Sequence, residues 1–163
     1  MAGYAVVRTD LLFGTDVRSG LVSIKYMGDD GETPTEIENG NVLKVGDLMD
    51  DEREIFIGSA PSSSDALEDI VLIASPEILY DEHLHNLDDF INEADMPARG
   101  YRLHSGDIFS VTAEALDGTP ALGSSVTIAD GTQLAVDGAG TEVGTIIAED
   151  TTSRYTYFAI RVA

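Results

Sequence analysis

Hydrophobic and polar positions along the chain follow two rhythms. In LVSIKYM (21–27), Val22, Ile24 and Tyr26 fall on one side and Leu21, Ser23, Lys25 and Met27 on the other. That alternation is the mark of a half-buried strand. NVLKVGDL (41–48), REIFIG (53–58) and DIVLIA (69–74) predict further short strands, with the polar run APSSSDA as a loop before the last. GDDGETPTE (28–36) supplies Asp-Gly and Pro, both turn formers.

The rhythm changes after residue 76. Tyr80, Leu84, Leu87 and Ile91 stand at offsets of 4, 7 and 11, a helical stripe. This spacing predicts one short α-helix over about 80–94, inside an insertion spanning 76–96. Ser75 and Pro76 are placed to start it, and Pro97 bars its continuation.

From residue 100 the period returns to two. GYRLHSGDIFSVTAEAL carries Phe109, Val111, Ala113 and Ala115 in alternation. SSVTIA, TQLAV, TEVGTIIAE and RYTYFAIRV follow as strands, and Asp-Gly pairs at 117–118, 130–131 and 137–138 predict hairpin turns in an antiparallel meander. The expected fold is therefore mainly β: a small antiparallel barrel or sandwich with one short helix and an extended N-terminal segment.

Residues 1–20 sustain neither period and are expected to form an N-terminal arm or edge segment, leaving 21–163 as a single β-rich domain. Leu11, Leu12 and Phe13 are awkward if fully exposed, so either this domain or a neighbouring molecule covers them. Arg8 with these three residues, and Tyr155 and Tyr157 in the last strand, are the candidate partner-binding residues.

The charge balance narrows the function. Thirty Asp and Glu face nine Lys and Arg across 163 residues, a formal charge of −21. Such a surface repels phosphate backbones and lacks the basic cluster that anionic membranes attract, so neither nucleic acid nor membrane is expected as a partner. A positively charged partner surface, bound cations or high solubility each suit it, and so does adaptation to high salt. The chain has no cysteine, which excludes disulfides and thiolate metal sites. MAGYAVVRTDLLFG has no apolar core of signal-peptide length, and Asp10 interrupts it, so synthesis and use without secretion are expected.

Side chains of the types that carry chemistry cluster in a few stretches. DEHLHNLDDF (81–90) places His83 and His85 among four carboxylates. On a helix these histidines sit roughly 200° apart and cannot share a metal from one face. The cluster then reads as a solvated helix face, and the competing reading is a metal-dependent hydrolase. GAGTEVG (138–144) is one residue too long for the dinucleotide fingerprint and leads into a strand. HSGD (104–107) holds the residue types of a catalytic triad, but neighbours in a strand point apart, so it reads as a turn. The acidic turn at GDDGE does not meet calcium-loop spacing. A sugar-binding module is disfavoured by the absence of tryptophan. No catalytic residue, metal or cofactor is expected.

Three stretches, ENGNVLKVGDLMDDEREIF (38–56), NEADMPARGYRLHSGDIFSVT (92–112) and the closing VGTIIAEDTTSRYTYFAIRV, resemble together small structural proteins encoded near the major capsid protein in tailed bacteriophages, the head decoration or cement proteins. The resemblance is one of pattern and order over most of the chain. It implies a non-enzymatic β protein on the capsid exterior, made in the host cytoplasm. Its partners would be the major capsid protein and other copies of itself, and it would stabilise the shell by bridging capsid subunits. It supplies no catalytic residues and no fixed interface motif. A tail-tube or head–tail connector subunit is the second structural reading.

Overall fold

The computed structural model describes residues 3–11, 20–50, 52–84 and 86–163. Eleven strands among them form two sheets, and the mainly β expectation holds. The first five are β1 (Leu21–Tyr26), β2 (Val42–Leu48), β3 (Ile55–Ser59), β4 (Ile70–Ile73) and β5 (Ala98–Arg102). They close into a barrel in the order β1-β3-β2-β4-β5, with β5 antiparallel to β1 and β1 parallel to β3.

Alternation decides which side chains fill the barrel. Val22, Ile24 and Tyr26 of β1 turn inward, as their spacing predicts, and meet Leu43, Val71, Ile73 and Ala98. Five strands enclose little space, so small residues are needed on the inner face. A β-carbon at Gly100 would stand 2.7 Å from Val71 Cγ2, and one at Gly58 would stand 2.9 Å from Ile24 Cγ1 and Leu43 Cδ1.

The second sheet contains β6 (Ile108–Val111), β7 (Leu116–Asp117), β8 (Ser125–Thr127), β9 (Leu134–Val136), β10 (Glu142–Thr151) and β11 (Thr156–Val162), in the order β6-β11-β10-β8-β9-β7. Its inner face, including Phe109, Val111, Val126, Leu134, Ile146 and Ile160, packs on the outside of the barrel. Strand β4 joins the two cores. Its residues are all buried: Val71 and Ile73 point into the barrel, while Ile70 and Leu72 point into the second core. An uninterrupted apolar run is what a strand covered on both faces requires.

The expected meander needs correcting. β10 does not pair with β9 but returns along the far side of β8, and β7 pairs with β9 in parallel. Of the three Asp-Gly pairs, only Asp130-Gly131 joins consecutive strands that pair with each other. Asp137, at φ 52°, instead folds its carboxylate back to accept the Ser125 amide at 2.9 Å. The period-two run from Phe109 also ends early, because Ala113–Ala115 form a 3-10 turn.

Among the described residues, the helix expected over 80–94 does not form. Residues 76–84 carry no regular element, and a single 3-10 turn occupies Leu87–Asp89. Local side-chain hydrogen bonds offer the backbone another solution. Asp81 Oδ1 accepts the His83 amide at 2.9 Å, and Asp89 Oδ2 accepts the Asn86 amide at 3.0 Å. Farther on, Asn92 bridges to Ile37 as extended chain, its side chain donating to the Ile37 carbonyl and to Asn39 Oδ1. The stripe meets no apolar groove: Tyr80 is 92% exposed.

The N-terminal segment lies on the chain's own second sheet. Val7 bridges antiparallel to Val111, the Thr112 amide donates to the Val6 carbonyl, and the Arg8 amide donates to the Ser110 carbonyl, each at 3.0 Å. Ala5, Val6 and Val7 are buried. These residues cover the outer edge of β6, which would otherwise present open hydrogen-bonding groups.

Candidate functional site

The N-terminal segment, the 86–89 turn and the tip of the β10–β11 hairpin converge on Asp88. Strand alternation puts Tyr155 and Tyr157 on one face, with ring centroids 5.9 Å apart and planes tilted by 56°. Arg154 lies over the Tyr155 ring at 5.5 Å, and Arg8 over the Tyr157 ring at 5.1 Å. Arg8 also forms a two-pronged pair with Asp10, at 2.8 Å through Nε and 2.6 Å through Nη2. The result is a continuous ladder: Asp10, Arg8, Tyr157, Tyr155, and at its far end Asp88 with Arg154.

Asp88 Oδ1 accepts the Tyr155 hydroxyl at 2.8 Å and Arg154 Nη2 at 3.3 Å, while its backbone carbonyl accepts the Tyr4 amide at 3.0 Å. Gly3 lets the chain cross this carboxylate, since a β-carbon there would stand 2.6 Å from Asp88 Oδ2. Between these elements lies a cleft of about 380 Å³, lined among others by Tyr4, Asn86, Asp88, Glu114, Arg154 and Tyr155.

The same contacts shift the titration of the groups that make them. The hydrogen bond from Tyr155, assisted by the Arg154 charge, holds the Asp88 carboxyl below its usual range. Arg8 does the same to Asp10. Burial, then the hydrogen bond to Asp88, pushes the Tyr155 phenol up. Through their hydrogen bonds and ring contacts these groups fasten the N-terminal segment to the hairpin.

The candidate residues separate accordingly. Arg8, Tyr155 and Tyr157 are brought together, but Tyr157 is buried and its ring faces this chain's own Arg8. Tyr155 spends its hydroxyl on Asp88. Leu11 ends a 3-10 turn begun at Thr9, and Leu12 and Phe13 lie outside the described residues, as does His85. Gly3 and Tyr4 carried no sequence signal, and Asp88 stood out only as one of the four carboxylates of 81–90, since its relation to Tyr155 exists only in three dimensions.

A second recess of about 320 Å³ is lined by Glu38, Asn41, Asp117, Asp130 and Thr132, among others. The Asn41 Oδ1 beside it is buried without a hydrogen-bond partner among the described residues. No three His, Asp or Glu side chains among those residues converge as a metal-holding set. The HSGD stretch is a turn, in which Asp107 Oδ2 accepts the His104 amide at 2.9 Å and Gly106 adopts φ 93°. In the GDDGE turn, Asp30 accepts the Glu32 and Thr33 amides and the Thr33 hydroxyl, which lower its pKa to about 2.

No family model, curated protein or solved structure matches this chain.

Proposed function

We propose that this chain is a virion structural protein that binds the outer surface of a phage capsid and stabilises the shell by bridging capsid subunits. The observation that carries the reading is a division of labour among side chains. The side chains of Asp10, Arg8, Asp88, Arg154 and Tyr155 are matched to one another within the chain, whereas large apolar side chains stand outside the site. Ile78, Tyr80, Met96 and Leu122 are all more than half exposed on a molecule of net charge −21. Such a surface acts by contact, and exposed apolar groups on an otherwise highly charged protein mark association sites.

The sequence resemblance supports the same reading from another direction. Its three stretches contain all or part of β2, β3, β5 and β6 and nearly all of the β10–β11 hairpin. They contribute Val42, Phe109, Val111, Phe158 and Ile160 to the second core. The shared pattern is thus the frame, and the exposed segment near Tyr80 lies outside it. Many copies on one lattice gain avidity, so each contact can be modest.

The test is co-sedimentation with empty expanded shells at several salt concentrations. The protein is expected in the pellet with the shells, and protein left in the supernatant at every salt removes the reading. A ring-sized mass for the free protein would instead favour a tail-tube or connector subunit.

A further inference from the structure

We infer that residues 76–84 form the docking segment, and that Tyr80 and Ile78 seat in an apolar recess rimmed by Lys and Arg on the capsid lattice. The inference rests on the proposed capsid-binding role and names the surface that performs it.

Tyr80 is 92% exposed and Ile78 59%, on a stretch without regular structure that leaves β4 at one end of the barrel. Alternation along this stretch turns Ile78 and Tyr80 outward, while Leu79 between them is half-buried. The base is anchored on both sides. The Ser75 amide donates to Asn39 Oδ1 at 3.0 Å, the Arg99 amide to Ser75 Oγ at 2.9 Å, and the Thr9 hydroxyl to Glu77 Oε2 at 3.0 Å. The amides of Leu79 and Tyr80 have no hydrogen-bond partner among the described residues. The segment is thus held at its foot and open at its crest. A tyrosine so presented loses little conformational entropy on binding and supplies a large contact area, which is why tyrosine is common among interface anchors.

Charge selects the occupant. No Lys or Arg occurs between Arg53 and Arg99, and Glu77, Asp81 and Glu82 flank the apolar crest along the chain. A second copy of the chain would bring the same sign of charge and a further −21 to the contact. A basic rim around an apolar recess fits both features: attraction guides the approach, and burial of Tyr80 holds it.

The experiment compares shell binding by the wild-type protein, the double variant Y80S/I78S and the control L122S, whose parent Leu122 is 68% exposed elsewhere. All three changes are on exposed side chains, so equal thermal midpoints verify folding. The double variant is expected to bind at least about tenfold more weakly, with L122S at wild-type level. Wild-type affinity is expected to fall as salt rises. If wild-type protein binds and the double variant binds equally well, the docking segment is wrong while the capsid role stands. If L122S loses as much as the double variant, the assignment to this segment is also overturned. If wild-type protein does not bind shells at all, the capsid role itself fails and this inference falls with it. Self-association of the free chain that Y80S/I78S abolishes would give the segment to a second copy and overturn the proposal.

Discussion

The Tyr155 hydroxyl donates to Asp88 Oδ1 at 2.8 Å across 67 residues of sequence. This bond ties the hairpin tip to the 86–89 turn, and through the Asp88 carbonyl to the amide of Tyr4. Replacing Tyr155 by Phe keeps the ring and removes the donor. The expected loss is about 1 kcal/mol in urea unfolding, since one partly exposed hydrogen bond to a carboxylate is at stake. In a double-mutant cycle with D88A the two losses should not add. Additive losses would show that the bond contributes nothing in solution.

Leu72 should behave as a joint between two layers. It is fully buried on the outer face of the barrel, against the second core. L72A is expected to cost about 2–5 kcal/mol, the range for a buried leucine leaving a cavity. Equilibrium denaturation measures it, and a loss below about 1 kcal/mol would mean the layers do not pack as described.

Gly144 allows β10 to approach β11. A β-carbon there would be driven into the Arg161 carbonyl, which is backbone and cannot swing aside. G144A should therefore destabilise by more than about 2 kcal/mol or prevent folding. G123A, where a β-carbon meets nothing within 4 Å, is strained by its φ of 86° alone and should cost less. Comparison of the two midpoints checks the difference.

Stability should pass through a maximum on the acid side of neutrality. With 30 acids against nine Lys and Arg, protonating unpaired carboxylates first relieves repulsion. Asp88, Asp10 and Asp65 oppose this lower down, each held below the usual carboxylate range first by its hydrogen bond from Tyr155, Arg8 or Lys44. A depressed carboxyl contributes fully above its unfolded pKa of about 3.9 and loses that contribution as pH falls through the folded value. Thermal midpoints at constant ionic strength should thus rise modestly below pH 7 and fall below about pH 4. D65N should show a shallower acid fall. At pH 7 the midpoint should rise with added sodium chloride, which screens the excess negative charge.

Trypsin should cut slowly after Arg8 in the native protein. The Arg8 amide is hydrogen-bonded to Ser110, and its guanidinium lies between Asp10 and Tyr157. A protease needs extended, accessible backbone, which a paired edge does not supply. Mass spectrometry of a time course reads the site directly, and rapid cleavage there would show that the segment detaches from β6.

The sequence alone determined most of the strands. Val22, Ile24 and Tyr26 alternate because neighbours on a strand face opposite ways, and that rule needs no knowledge of the partner. The run at 70–73 likewise read as a strand, but that both its faces are covered came only with the second sheet. Partnership was beyond it: β10 beside β8, β7 parallel to β9, and the N-terminal residues along β6 are choices among many apolar edges of similar pattern. The stripe from Tyr80 to Ile91 was helical by spacing, yet an amphipathic helix is stable only where its apolar face finds a groove. Here Asn92 is drawn to Ile37, Asp81 and Asp89 cap local turns, and Tyr80 is left in solvent. Periodicity records what each residue prefers beside its neighbours in the chain, whereas the Asp88–Tyr155 link and the open crest at Tyr80 depend on which distant surfaces meet, and only the folded chain decides that.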